Sequence, residues 1–233
     1  MATTAPVIAR PPQTPKVRLH PTTRTTRKLV VEFIGTFFLV FTVGASVRTG
    51  TSLAPLAIGA VLMVMVYAGG HISGGHYNPA VTMAALVRGR IGAGDAIGYW
   101  MAQLVAGLLA AVVVGVTVSA SQAHALAPHG HALTSALIVE FLYTFALAYV
   151  VLNVATSKDH PDNSFYGLAI GFTVLVGAVS VGGISGGAFN PAVVLGGAAM
   201  GLFAWSTLIY LVPQLIAGVA AGLVFRALNP TDN

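Results

Sequence analysis

Two tripeptides, Asn78-Pro79-Ala80 and Asn190-Pro191-Ala192, carry the most specific chemistry in this chain. Proline suits the first position of a helix because it lacks the N–H that would go unpaired there, and asparagine is a favoured cap just before it. Each tripeptide therefore opens a helix. If backbone holds the asparagine carbonyl oxygens, the amide groups are left to donate to a passing oxygen atom. Glu32 and Glu140 are the only carboxylates inside long apolar stretches, where an ionisable side chain is a functional candidate by default. Neither has a cationic partner in those stretches, so they read as buried acceptors for loop N–H groups rather than as a proton relay. His124, His129 and His131 form a histidine group without a carboxylate or cysteine; it reads as a solvated loop, and no metal or cofactor is assigned.

Composition says what must position these residues. The 233 residues are 56% hydrophobic and 7% charged, with a mean hydropathy of +0.83, against about 25% charged residues in an ordinary soluble domain. The chain is expected to be embedded in a bilayer. Its net charge of +5 comes from 11 basic and 6 acidic residues and leaves no basic face on the apolar body, which excludes nucleic acid as a partner. The absence of cysteine excludes a disulfide framework, thiolate metal sites and a cysteine nucleophile. No serine in an apolar stretch has a histidine paired with it, so an intramembrane hydrolase is not expected and the protein reads as a non-enzyme.

A membrane span needs about 20 apolar residues. Six stretches qualify, at about 29–47, 54–70, 96–119, 133–155, 165–182 and 205–227. Residues 1–28, rich in Pro and Thr and carrying Arg10, Lys16, Arg18, Arg24, Arg27 and Lys28, read as a disordered, uncleaved basic tail. Residues 229–233 form a short second tail. Two further apolar pieces, Pro79 to Val87 and Pro191 to Met200, are too short to cross. Non-helical backbone at membrane depth is tolerated only where protein buries it or water lines it, so paired half-helices point to an internal aqueous path. With both termini cytoplasmic, every Lys and Arg except Arg48 falls on the cytoplasmic side.

The chain also repeats. His71-Ile-Ser-Gly-Gly-His-Tyr-Asn-Pro-Ala-Val-Thr82 recurs as Gly183-Ile-Ser-Gly-Gly-Ala-Phe-Asn-Pro-Ala-Val-Val194, and Val31-Glu-Phe-Ile-Gly-Thr-Phe37 as Val139-Glu-Phe-Leu-Tyr-Thr-Phe145. Tyr99, Gln103, Ala106 and Gly107 recur as Tyr210, Gln214, Ala217 and Gly218. Each half, about 29–120 and 133–228, holds three spans, an odd number, so the second half sits upside down relative to the first. The expected fold is an all-α membrane protein with six transmembrane helices and two half-helices in an inverted repeat. Inversion brings the half-helix N-termini together at the midplane, where their dipoles repel cations. Gly35, Gly107, Gly167, Gly171, Gly218 and Gly222 read as close helix packing.

On these motifs, from Leu29 to Leu228, the sequence resembles the aquaporin family, also called the major intrinsic proteins. The resemblance implies a passive channel for water and small neutral solutes (urea, glycerol, ammonia or hydrogen peroxide), in the cell membrane, as a homotetramer with one pore per subunit. It also implies that Glu32 and Glu140 hold the two Asn-Pro-Ala loops and that His76 lines the pore near the cytoplasmic vestibule. An ion- or proton-coupled secondary transporter is the alternative, since transporters also use inverted repeats and broken helices.

Where most members of the family place a filter arginine after the second Asn-Pro-Ala, this chain has Val193. The other positions matching the family's outer filter are Ile58, Ala178 and Gly187. None is aromatic or charged, so a wide, apolar ring is expected, with weaker exclusion of molecules larger than water. Val194 stands where glycerol-conducting members usually have Asp, which argues against a dedicated glycerol channel.

Overall fold

A computed structural model of the chain describes residues 21–119 and 125–232, and eight α-helices carry nearly all of them. They are α1 (Pro21–Arg48), α2 (Ala54–Ser73), α3 (Pro79–Arg88), α4 (Ala93–Thr117), α5 (Gly130–Thr156), α6 (Tyr166–Ser185), α7 (Pro191–Ala199) and α8 (Leu211–Leu228). A 3-10 turn at Trp205–Tyr210 leads into α8, and the two together make the last of six elements long and apolar enough to cross a membrane.

The helices sit where apolar length puts them, with one difference at the start. α1 begins at Pro21 and not at 29, so the last part of the stretch read as a disordered tail is helical. Proline opens the helix, and Lys28 further along it is tied across the fold to Asp95 of α4 at 2.8 Å. The remainder of that tail, residues 1–20, lies outside the described residues.

The packing follows the repeat. α1 lies on α2 and α4, and α5 lies on α6 and α8 in the same way. The half-helices cross over: α3 packs against α8 of the other half, and α7 against α4. Glycine makes this approach possible, since a Cβ on Gly107 would stand 2.8 Å from the Ala192 carbonyl oxygen, and one on Gly218 would collide with that of Ala80. α2 and α6 complete the contact between halves. Leu126, ahead of α5, pairs with the segment after α7, through Leu126 N–H to Leu202 O and Ala204 N–H to Leu126 O, both 2.9 Å.

A candidate pore built from two half-helices

Each half-helix is capped as its sequence requires. Asn78 Oδ1 accepts from Ala80 N–H at 2.8 Å and Asn190 Oδ1 from Ala192 N–H at 2.9 Å. The amide nitrogens cross the midplane: Asn78 Nδ2 donates to Phe189 O and Asn190 Nδ2 to Tyr77 O, both 2.9 Å. Each amide therefore has one N–H committed to the opposite loop, leaving one where the sequence left both free. Tyr77 and Phe189 themselves sit at φ 48°, a conformation L residues rarely adopt. Their carbonyls aim at the facing asparagine only in that conformation, and several bonds hold it.

Glu32 and Glu140 are those anchors. Glu32, fully buried, accepts from Ser73 Oγ (2.7 Å), His76 N–H (3.0 Å), Tyr77 N–H (2.7 Å) and Gln103 Nε2 (2.9 Å). Glu140 repeats the set with Ser185 Oγ (2.7 Å), Ala188 N–H (3.0 Å), Phe189 N–H (2.8 Å) and Gln214 Nε2 (2.7 Å). A carboxylate offers about four acceptor sites in its two oxygens, so both are saturated. The halves differ where the sequence does. Thr82 Oγ1 meets His76 Nδ1 and Gln103 Nε2, both at 3.0 Å, while Ala188 and Val194 at the matching places bring no polar side chain. Tyr99 donates to Ser73 O, whereas the Tyr210 hydroxyl has no partner among the described residues.

Three cavities lie in series. One of about 380 Å³, at the end of the molecule marked by Lys28, is bounded by Arg90, Tyr99, His160 and Asp162. It shares His76 and Val151 with a neck of about 20 Å³ that runs past both asparagines. The neck shares Val43, Ile58, Gly187 and Val193 with an outer funnel of about 500 Å³. A cavity needs about 10–15 Å³ to hold one water, so the neck takes water in single file. Three of the four filter candidates, Ile58, Gly187 and Val193, stand where funnel meets neck; Ala178 lines the funnel alone. That junction has apolar side chains, and the space on the neck side of it is small. Leu62, Leu147, Ile170 and Val174 line the neck from the long helices.

His129 and His131 are exposed, and His124 lies outside the described residues. Among the described residues no three His, Cys, Asp or Glu side chains gather to hold a metal ion. Sequence reasoning missed Arg48 in the funnel wall and a buried Arg88–Asp232 pair of 2.8 Å. Both depend on where distant helix ends meet, which no local pattern encodes.

Over residues 20–225 the chain matches the family model of the Major intrinsic protein family. It belongs to the major intrinsic proteins. The sequence is 39% identical to the glycerol uptake facilitator protein-like 6 of Lactiplantibacillus plantarum over 218 residues, 88% of this chain and the whole of that one. It is 36% identical to the aquaporin NIP1-4 of Oryza sativa subsp. japonica, over 83% of this chain and 73% of that protein. The aquaglyceroporin from Plasmodium falciparum shares the fold, with a TM-score of 0.70 at 23% identity, covering 89% of this chain and 96% of that one.

Proposed function

We propose that this major intrinsic protein is a passive channel for water and for neutral solutes small enough to follow water through the neck. The observation that carries the reading is the series of funnel, neck and vestibule, with Asn78 and Asn190 both facing a neck of about 20 Å³. A permeant shedding its hydration shell there meets one free N–H from each asparagine, at the positive ends of two half-helix dipoles. Oxygen acceptors are favoured and cations are opposed. Ile58, Ala178, Gly187 and Val193 form the outer filter in this reading, with His76 at the neck's other end.

Coupled transport finds less support. It needs a charge that changes state along the path, and Glu32 and Glu140 each hold four hydrogen bonds and line none of the three cavities. The relatives' names, a glycerol uptake facilitator and an aquaporin, suit a channel. We place the Lys28 end in the cytoplasm on the distribution of Lys and Arg, and assign a homotetramer in the cell membrane from the family likeness. Stopped-flow light scattering on proteoliposomes tests the function, with gradients of water, urea, glycerol, ammonia and hydrogen peroxide. A channel gives flux linear in the gradient and indifferent to protonophores. No flux above empty liposomes, or flux abolished by a protonophore, would overturn the reading.

A further inference from the structure

Arg48 ends α1 and stands in the wall of the outer funnel, beside the junction made by Ile58, Gly187 and Val193. Its Nη1 donates to Val118 O at 3.1 Å and Val114 O at 3.4 Å, and its Nη2 to Met200 O at 2.5 Å. Those acceptors sit at the C-terminal ends of α4 and α7, where the helix dipoles place partial negative charge; Val114 O also accepts from Val118 N–H. One side chain thus ties three helix ends together at the rim of the path.

Carbonyls hold the guanidinium without neutralising it. The ion pairs among the described residues are those of Lys28 with Asp95 and of Arg88, Arg90 and Lys158 with Asp232. The chain has six acidic residues, and all of them lie elsewhere. Glu32 and Glu140 are buried behind the half-helix loops, and Asp95, Asp159, Asp162 and Asp232 belong to the Lys28 end. Among the described residues Nε and the second Nη2 hydrogen of Arg48 make no bond. The funnel around them is otherwise apolar side chain and glycine backbone, in which a charge-assisted hydrogen bond gains strength.

A guanidinium presents its N–H groups as a planar fork that matches the two oxygens of a planar oxyanion. We propose that Arg48 makes the outer funnel a docking site for a small planar oxyanion of the carboxylate or nitrate class, which stands over the neck when bound and slows flow. The funnel, about 500 Å³, accommodates such an ion. A neck of about 20 Å³ is too small for the ion to follow water, and the half-helix dipoles, positive toward the neck, favour an anion standing above it.

The flow readout rests on the channel reading, so the test carries a second readout that does not. Water flux is measured in proteoliposomes in sodium nitrate and in sodium chloride of equal osmolality, for wild type, Arg48→Gln and Arg48→Lys. The melting temperature is read on the same three proteins in the same salts, because an ion that binds the folded state stabilises it whether or not water flows. Nitrate slows wild-type flux relative to chloride with a midpoint on the order of 10 mM, the weak affinity expected of one partly exposed fork. Arg48→Gln abolishes the slowing. Arg48→Lys keeps a charge against the carbonyls, loses the fork, and loses most of it. The melting temperature in nitrate relative to chloride is higher in wild type than in either variant. Absence of that difference, or nitrate slowing kept in full by either folded variant, overturns the site. Wild-type protein that passes no water yet shows the Arg48-dependent thermal difference overturns the channel reading and leaves the site standing.

Discussion

Asn190 does two separable things with one side chain. Its oxygen caps α7 through Ala192 N–H, and its nitrogen joins the halves through Tyr77 O. Asn190→Ala loses both, with the cap alone costing about 0.5–2 kcal/mol. Asn190→Asp keeps the acceptor and loses the donor, so the cap survives while a carboxylate faces the neck. The expected outcome is a lowered melting temperature and lowered flux for the alanine variant. For the aspartate variant we expect near-normal helix content with inward leak of small cations, read by a potential-sensitive dye. At the junction of funnel and neck, Val193→Arg brings a cation with five N–H donors into an apolar ring. Water still fits and gains a donor, while urea or glycerol loses clearance. The solute-to-water flux ratio, measured on one preparation so that expression cancels, should fall on the order of tenfold, about 1.4 kcal/mol on the barrier. An unchanged ratio in an intact assembly would show that Val193 does not set the selective step.

The half-helices stand or fall on how closely a long helix can approach them. Gly218 of α8 faces the Ala80 carbonyl at the start of α3, and Gly107 of α4 faces that of Ala192 at the start of α7. Backbone at a capped helix start cannot swing aside as a side-chain tip can. Gly218→Ala should therefore destabilise the protein more than Gly107→Ala, each within the roughly 1–3 kcal/mol typical of overpacking. Gly94→Ala, with nothing near its Cβ, serves as the neutral reference in a detergent melt. Equal melting temperatures for all three would mean the close crossing is not tight. Such crossings were legible in the sequence because the repeat doubles every signal: Gly107 recurs as Gly218, Glu32 as Glu140, Asn78 as Asn190. Hidden from sequence were the features that occur once. The early start of α1 depends on Lys28 meeting Asp95 across the fold, and the position of Arg48 on three helix ends converging. The neck is lined by aliphatic side chains that several helices bring together.

At the scale of the whole molecule, the chain's last described residue closes the Lys28 end. Asp232 accepts from Arg88 Nη2 at 2.8 Å and from Lys158 N–H at 2.8 Å, with Arg90 at 3.6 Å and the Lys158 ammonium at 3.8 Å. Arg88, buried and stacked 4.4 Å from the Phe225 ring, belongs to the end of α3. One carboxylate thus links a half-helix, the C-terminal segment and the α5–α6 loop, whose His160 and Asp162 line the inner vestibule. Burial works to raise the Asp232 pKa, but the Lys158 N–H bond and the charge and hydrogen bond of Arg88 outweigh it and hold the carboxyl below its usual value. A depressed carboxylate contributes stability that is whole above its unfolded pKa, about 3.9, and is lost as pH falls through the lower folded value. Asp232→Asn, which mimics the protonated acid, should then melt below wild type by the same margin at pH 8 and pH 6. The margin should close only below about pH 4. At neutral pH the variant should also expose the loop to trypsin at Lys158, because local opening governs cleavage there. A melting gap that instead shrank between pH 8 and pH 6 would assign the titration to another group, and unchanged cleavage at Lys158 would show that the loop is held without Asp232.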